Sequence, residues 1–174
     1  MKYLVKFFVV FAIFFYCNSS IASEIIAYID MVKIMNTSKA GKSIKFQLEE
    51  IHKKNVIEFA KTEKKLKDQE NDILTKKNVV SKEEYANIIK DLRKEAFDYQ
   101  NDRRKKTNIL TEKRLESTAI FMKELTPILS EYAKLNSISI VIQKKNIIIG
   151  KSNLDITNDI LNIVNQKLDK IKLN

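Results

Sequence analysis

The residue types that most often do chemistry in enzymes are scarce in this chain. Cys17 and His52 are its only cysteine and histidine, so a Cys/His metal cluster, a Cys/His nucleophilic pair or a Ser/His/Asp triad is not expected. Its two glycines are too few for the Gly-rich loops that cradle nucleotide phosphates. The acidic residues are scattered, so we expect no carboxylate pair acting as acid and base. The sequence therefore predicts a protein that is not an enzyme and uses no metal or cofactor.

The residues left as candidates for function are basic, and basic side chains attract anions and acidic chains. Lysine and arginine number 32 against 22 acidic residues, which gives a formal net charge of +10. Ten of these cations fall in three clusters: Lys64, Lys65, Lys67; Lys76, Lys77, Lys82; and Arg103, Arg104, Lys105, Lys106. We expect the clusters to contact acidic partner chains or an anionic membrane surface. An ordinary solvated helix face is the alternative.

The first 22 residues have the pattern of a secretory signal peptide. Lys2 and Lys6 make a basic start, residues 7–17 are an unbroken apolar run, and small residues lead to Ala22. Eleven apolar residues fall short of the roughly 20 that span a bilayer, which argues against a membrane anchor. The residue before Cys17 is a tyrosine, which argues against lipoprotein attachment. We therefore expect cleavage after Ala22, export, and a mature chain without cysteine.

The rest of the chain has two β-rich ends and a long polar middle. Residues 24–30, 137–142 and 147–150 are short runs rich in β-branched residues and typical of strands. The middle carries helically spaced apolar residues among many charges and is too polar for a globular core. The predicted domains are a signal peptide at 1–22, a β-strand oligomerisation body at 23–40 and 128–174, and a helical arm at 41–127.

The arm has one break, near residues 77–81, where Ser81 and Glu84 have the spacing of a capping box that restarts a helix. The pattern predicts an antiparallel coiled-coil hairpin with its tip at the break. One register pairs heptad-spaced residues across the seam: Ile73 with Tyr85, Leu66 with Leu92, Phe59 with Tyr99, and His52 with Lys106. The layers between them are polar or small, so we expect a thin seam and a flexible arm.

Three single residues of the hairpin have a functional and a structural interpretation. Val79 and Val80 at the tip have no evident seam partner and are candidate apolar contacts for a partner chain, with packing across the turn as the alternative. His52 is interpreted as a tolerated polar layer, with a pH switch as the alternative.

Two sequence signals describe the part of the chain that follows the arm. Pro127 predicts that the second arm helix ends and that Thr126 caps a new segment. Thr157 predicts the N-cap of a last helix with an apolar stripe of Ile160, Leu161, Val164, Leu168 and Ile171. Without the arm the body has only about 65 residues, too few for a generous core without partners. Oligomerisation would also cover its strand edges.

Several segments of the chain resemble one family of periplasmic proteins. Residues 26–31 followed by 36–42 resemble the N-terminal signature of the OmpH/Skp family of periplasmic chaperones. Residues 138–142, the turn at 145–146 and residues 154–157 resemble its C-terminal part. The resemblance covers the whole chain and implies a homotrimer whose strands close a small β-barrel and whose arms enclose a cavity. The expected fold class is α+β, mostly α, with a long antiparallel coiled-coil hairpin arm.

The resemblance also implies an activity. The chain would be an ATP-independent holdase that keeps unfolded outer-membrane β-barrel proteins soluble in the periplasm of a Gram-negative bacterium. The run at 103–106 matches a basic run of the family and is a candidate contact for lipopolysaccharide or anionic lipid. Lys105 and Lys106 stand there in place of arginines, which weakens bidentate phosphate recognition.

Two other functions remain open from the sequence. A non-catalytic coiled-coil scaffold of the envelope would explain the hairpin, but a rigid spacer would profit from continuous apolar layers. A basic polyanion-binding protein would explain the charge. Nucleic acid is not expected as a physiological partner, because the signal peptide directs the chain out of the cytoplasm.

Overall fold

The computed structural model describes residues 24–173, and this part of the chain is mostly helical. In chain order the elements are strand β1 (Ile25–Ile29), helix α1 (Met31–Thr37), helix α2 (Lys39–Lys76), helix α3 (Lys82–Leu135), strand β2 (Ile138–Gln143) and helix α4 (Thr157–Lys167), with 3₁₀ turns at Lys144–Asn146 and Ser152–Leu154. None of the described helices is both long and apolar enough to cross a membrane. The predicted signal peptide lies outside the described residues.

Helices α2 and α3 pack antiparallel and form the expected hairpin. Ser38 caps α2, because its Oγ accepts a hydrogen bond from the backbone N–H of Gly41 at 3.1 Å. Ser81 caps α3 in the same way, accepting from the N–H of Glu84 at 3.2 Å, as the sequence predicted. At 1.5 Å per residue, α2 is about 57 Å long and α3 about 81 Å. The last part of α3 therefore runs beyond α2 into the body.

The predicted seam register agrees with the structure at one layer and differs at another. The rings of Phe59 and Tyr99 meet edge to face with their centroids 6.2 Å apart, as predicted. His52 does not pair with Lys106, because its side chain is exposed and the Lys106 ammonium bonds to Glu58 at 2.5 Å. A carboxylate gives an ammonium group both a hydrogen bond and an opposite charge, which a neutral imidazole cannot.

The prediction that a new segment begins at Pro127 is wrong, because α3 continues through it to Leu135. Thr126 caps nothing; its hydroxyl donates to the carbonyl oxygen of Met122 one turn earlier at 2.8 Å. Three apolar side chains around the proline are buried in the body: Phe121, Leu125 and Ile128. Burying this face of α3 outweighs the backbone hydrogen bond that a proline removes.

The body contains a two-stranded parallel sheet. β1 and β2 pair with Ala27 opposite Val141 and Tyr28 opposite Ile142. On the other edge of β1, the carbonyl oxygen of Tyr28 accepts from the N–H of Ile156 at 3.0 Å. Within residues 24–173, β2 pairs with β1 alone, so its second edge has no strand beside it.

The strand predicted at residues 147–150 is wrong for the described chain, which forms a loop there. Ile148 is 99% exposed and Ile149 is 91% exposed. A β-branched run becomes a strand only when a neighbouring strand satisfies its backbone, and no described strand lies alongside this one.

Helix α4 closes the body core. Thr157 is its first residue rather than its N-cap: the N–H of Thr157 donates to Asp155 at 3.0 Å, and its Oγ1 accepts from the N–H of Asp30 at 2.8 Å. Of the predicted apolar stripe, Ile160 and Val164 are buried and Leu161 is half-buried on α4. The prediction is wrong for Leu168 and Ile171, which lie beyond the end of the helix at Lys167 and pack against the core from a non-helical segment. The hydroxyl that was expected to cap α4 instead joins it to the end of β1.

Candidate functional site

The tip of the hairpin brings together five of the predicted contact residues: Lys76, Lys77, Val79, Val80 and Lys82. Val79 is 81% exposed, whereas Val80 is half-buried in the turn. The three lysines are exposed and have no ion pair with any residue of the described chain. The tip therefore presents one bare apolar side chain among free cations.

The three lysines of the cluster at 64–67 on α2 differ in their contacts, because one pairs within the arm and two face the solvent. Lys65 forms an ion pair with Glu95 across the seam at 2.9 Å. The hydrogen bond from Lys65, with a second from Gln69, lowers the pKa of the Glu95 carboxyl below its ordinary value. Lys64 and Lys67 are exposed and make no such pair within residues 24–173. Only these two are available to an incoming partner.

The basic run at 103–106 is also divided, because a helix distributes consecutive residues around its axis. Arg103 pairs with Glu63 at 3.0 Å and lies 5.6 Å from the centroid of the Phe59 ring. Lys106 bonds to two carboxylates across and along the seam, which raises its pKa. Arg104 and Lys105 are exposed, with Arg104 donating to Asn101 at 2.6 Å. An anion approaching this run meets Arg104 and Lys105 first.

A polar cluster in the middle of the seam was not predicted from the sequence. The Tyr99 hydroxyl donates to Glu63 at 2.5 Å, and the same carboxylate oxygen accepts from Arg103. Burial, followed by the hydrogen bond to Glu63, raises the pKa of Tyr99. The heptad pattern placed Tyr99 correctly but carries no signal for the partner of its hydroxyl. One aromatic layer is thus held by an ion pair as well as by packing.

Large apolar side chains stand exposed along the whole arm. Seven are more than a third exposed: Phe46, Val56, Ile57, Leu74, Phe97, Ile109 and Leu115. None of them was chosen from the sequence, although all lie off the heptad positions of the seam. In the sequence, these residues could have been found as apolar side chains of the arm that do not fall on the predicted seam positions.

Two adjoining cavities lie where the arm leaves the body, each of about 400 Å³. They share walls at Met35, Asn36 and Thr118, so they lie side by side and are treated together as one groove with two lobes. We call it the methionine groove, because Met31 and Met122 line it together with Met35. No local sequence signal indicates the groove, since its walls come from residues far apart in the chain.

Gly41 shapes the floor of the methionine groove. A Cβ at this position would lie 1.7 Å from the carbonyl oxygen of Met35, which no structure tolerates. The first turn of α2 can therefore press against the end of α1 only because residue 41 is glycine. This contact holds Met35 between the two cavities.

The C-terminal segment binds the root of α2. The Gln47 side chain donates to the carbonyl oxygen of Ile171 at 2.7 Å and accepts from the N–H of Leu173 at 3.0 Å. Lys39 pairs with Asp169 at 2.8 Å. The Gln47 side chain thus forms hydrogen bonds with two backbone groups of the segment, as a neighbouring strand would. These contacts therefore tie the C-terminal end of the described chain to the first turns of α2.

No group of three His, Cys, Asp or Glu residues in the described part of the chain is arranged to hold a metal ion. A cavity of about 230 Å³ between the arm helices near the tip is lined by Asp72, Asp91, Glu95 and Lys76 among others. Its lining is charged, in contrast with the methionine groove.

Comparisons with known proteins agree with this architecture. A family model described as outer membrane protein (OmpH-like) matches residues 25–164. The crystal structure of an OmpH-like outer membrane chaperone from Caulobacter crescentus CB15 superimposes with a TM-score of 0.80, covering 87% of this chain and 89% of that one. At 12% identity, that likeness shows the fold. A search of curated protein sequences found no significant match.

Proposed function

Because the chain belongs to the OmpH-like family of outer membrane proteins, we propose that it is an ATP-independent holdase chaperone. The family and the shared fold support a chaperone role. In this proposal it binds unfolded outer-membrane β-barrel proteins in the periplasm, encloses them between its arms and prevents their aggregation. It catalyses no reaction and needs no cofactor.

The observation that carries the proposal is the distribution of apolar residues on the arm. Phe46, Ile57, Phe97 and Leu115 are each more than 60% exposed, yet charged residues separate them along the helices. Single exposed apolar side chains do not cause aggregation as a large continuous patch does. Several of them can still hold one unfolded chain through many weak contacts that add together. Release then needs no nucleotide, since each contact is weak.

The free cations of the arm would assist capture of acidic clients. Lys64, Lys67, Lys76, Lys77 and Lys82 are exposed and have no ion pair in the described chain. Long-range attraction between opposite charges raises the association rate more than the final affinity. We therefore expect salt to slow capture more than it weakens the complex.

We further propose that the body assembles as a homotrimer through its strands. Support comes from the second edge of β2, which has no described partner, and from the loop at 147–150 with its two bare isoleucines. A strand edge and a β-branched segment that one chain leaves unsatisfied fit a neighbouring copy. Replacing both Ile148 and Ile149 with aspartate should give monomers in size-exclusion chromatography with light scattering. Phe97→Asp on the arm should leave the oligomer intact.

Export and cleavage belong to the same proposal. N-terminal sequencing of the protein from the periplasm should read from Ser23. A first residue at Met1 would contradict the signal peptide.

Aggregation of an unfolded client tests the holdase proposal directly. A urea-unfolded outer-membrane barrel protein is diluted into buffer without nucleotide, with and without residues 23–174, and light scattering is followed. We expect suppression near one oligomer per client, retained at moderate salt. Unchanged scattering would contradict the holdase and favour the scaffold, whereas suppression lost at moderate salt or to a polyanion competitor would favour a polyanion-binding protein.

Matched variants show whether the arm residues carry the activity. Replacing four exposed apolar residues with serine should remove most of the suppression: Phe46, Ile57, Phe97 and Leu115. The control replaces four exposed amides with serine and should keep full activity: Asn71, Asn87, Gln100 and Asn108. Equal activity of the two variants would contradict the role given to the apolar residues.

A further inference from the structure

We propose that the methionine groove is a binding site for an extended apolar segment of an unfolded client, with an acidic residue beside that segment. The inference rests on the proposed holdase function and assigns one site to it. The groove lies between α1, the root of α2 and the body half of α3.

The side chains in the walls of the groove favour binding of segments with many different sequences over binding of one fixed partner. Apart from Met1, which lies outside the described residues, the chain has three methionines, and all three line this groove. Methionine is unbranched and polarizable, so it adapts to side chains of different shape and recurs at binding surfaces that accept varied sequences. Ile44 and Leu48, both almost fully buried, form the apolar floor of one cavity. A surface made for one fixed partner would gain more from stiffer side chains.

The charges around the groove indicate what lies beside the apolar segment. Arg114 lines one cavity and Lys145 the other, and neither has an ion pair in the described chain. Glu49 is the one acidic residue in the two linings, and Lys45 lies 3.7 Å from it. Each lobe of the groove therefore has, beside its apolar side chains, a cation that is unpaired in the described chain. This complements an apolar segment with an acidic flank.

The size of the groove fits a peptide segment. Each cavity is within the range of sites that enclose a small ligand, and the two adjoin at Met35. A single small molecule would need one enclosed cavity with converging polar groups. An open trough with two lobes instead accepts neighbouring apolar side chains of one extended chain.

Photo-crosslinking tests the placement. A benzophenone amino acid is introduced at Val32 or Thr118 in the groove, and at Asp91 in the charged cavity near the tip as the control. Residues 23–174 of each variant are mixed with a labelled, urea-unfolded outer-membrane barrel protein and irradiated. We expect client adducts at both groove positions and several times fewer at Asp91. Adducts between two copies of the chain, or no excess over Asp91, would overturn the proposal.

Affinity measurements test the chemistry of the groove. Val32 is 65% exposed, so Val32→Glu should fold normally while placing an acid in the groove. We expect client affinity to fall about tenfold, as for the loss of one buried aliphatic contact. Leu135→Glu is the control, since Leu135 is 77% exposed at the end of α3 and outside the groove. Equal affinity of the two variants would overturn the proposal.

The unsubstituted chain separates failure of the site from failure of the function. If it suppresses aggregation and the groove positions give no client adducts, the holdase stands and the groove assignment is wrong. If it does not suppress aggregation at all, the holdase proposal itself is wrong.

Discussion

The body and the distal arm of this protein use similar apolar residues but bury them to different degrees. In the body, Ile34, Phe121, Leu125, Ile160 and Val164 are fully buried in one cluster. In the distal arm, residues 49–109, only Ile73 and Tyr99 are buried apolar or aromatic side chains. The difference shows that apolar burial is concentrated in the body, whereas the arm leaves apolar side chains exposed to solvent.

The two regions are also held by different forces. The body depends on apolar burial, which is non-directional and roughly proportional to the area removed from water. Ion pairs such as Lys65–Glu95 and Arg103–Glu63 hold the arm, and exposed pairs contribute little each. We therefore expect the arm to open locally at conditions under which the body stays folded.

The largest expected effect is in the body core. Phe121→Ala removes a fully buried ring and should lower the free energy of unfolding by about 3–5 kcal/mol. Urea denaturation followed by circular dichroism measures it. Phe97→Ala, at a ring that is 66% exposed, should change it by less than about 0.5 kcal/mol. Similar losses for both would break the contrast between the two regions.

A smaller and local effect is expected in the seam. Tyr99→Ala removes the ring against Phe59 and the hydroxyl bonded to Glu63, at a cost of about 2 kcal/mol, because so thin a layer can partly collapse. Hydrogen exchange should accelerate in residues 55–103 and stay unchanged in β1 and α4. Exchange that also accelerates in the body would show that arm and body unfold together.

The hydrogen bonds between Gln47 and the C-terminal segment should contribute less to the free energy of unfolding. Gln47→Ala removes two part-buried hydrogen bonds to the C-terminal segment, each with a net contribution of about 0.5 kcal/mol. Faster hydrogen exchange at residues 168–173 is the expected result, with the midpoint of global unfolding nearly unchanged. Gln100→Ala, at an exposed glutamine of α3, is the control. Unchanged exchange in the segment would mean that packing of Ile171 alone holds it.

The smallest effect concerns one ion pair of the arm. The pKa of Glu95 is lowered in the folded chain, so its pair stabilises the arm above the unfolded pKa near 4.5 and is lost as the pH falls through the lower folded value. Lys65→Gln should raise the Glu95 pKa toward its ordinary value in a carboxyl-detected NMR titration. Lys64→Gln, at the exposed neighbour, should leave it unchanged. Equal shifts in the two variants would contradict a specific pair.

Local sequence signals predicted the hairpin well. The capping residue Ser81 and the heptad contact of Phe59 with Tyr99 are both present, since caps and helical spacing depend on near neighbours. The register failed at His52 because a carboxylate competed for Lys106, and heptad counting ignores such competition.

The body was predicted less well, because its elements depend on distant residues. Pro127 reads locally as a helix boundary, yet core packing of its neighbours carries α3 through it. Residues 147–150 read locally as a strand, yet the described chain provides no strand to pair with them. Both errors come from tertiary contacts that a local pattern does not contain.

For the candidate site, the sequence determined which residues are charged and roughly where along the arm they lie. Only the tertiary structure decided that Arg103, Lys106 and Lys65 pair with acids while Lys64 and Lys67 remain free. It alone also joined Met31, Met35 and Met122 in one groove. Helical periodicity is a local property and can be read from spacing. Ion pairing and groove formation bring together residues up to 130 positions apart, as Lys39 and Asp169 show, and folding alone decides which of them meet.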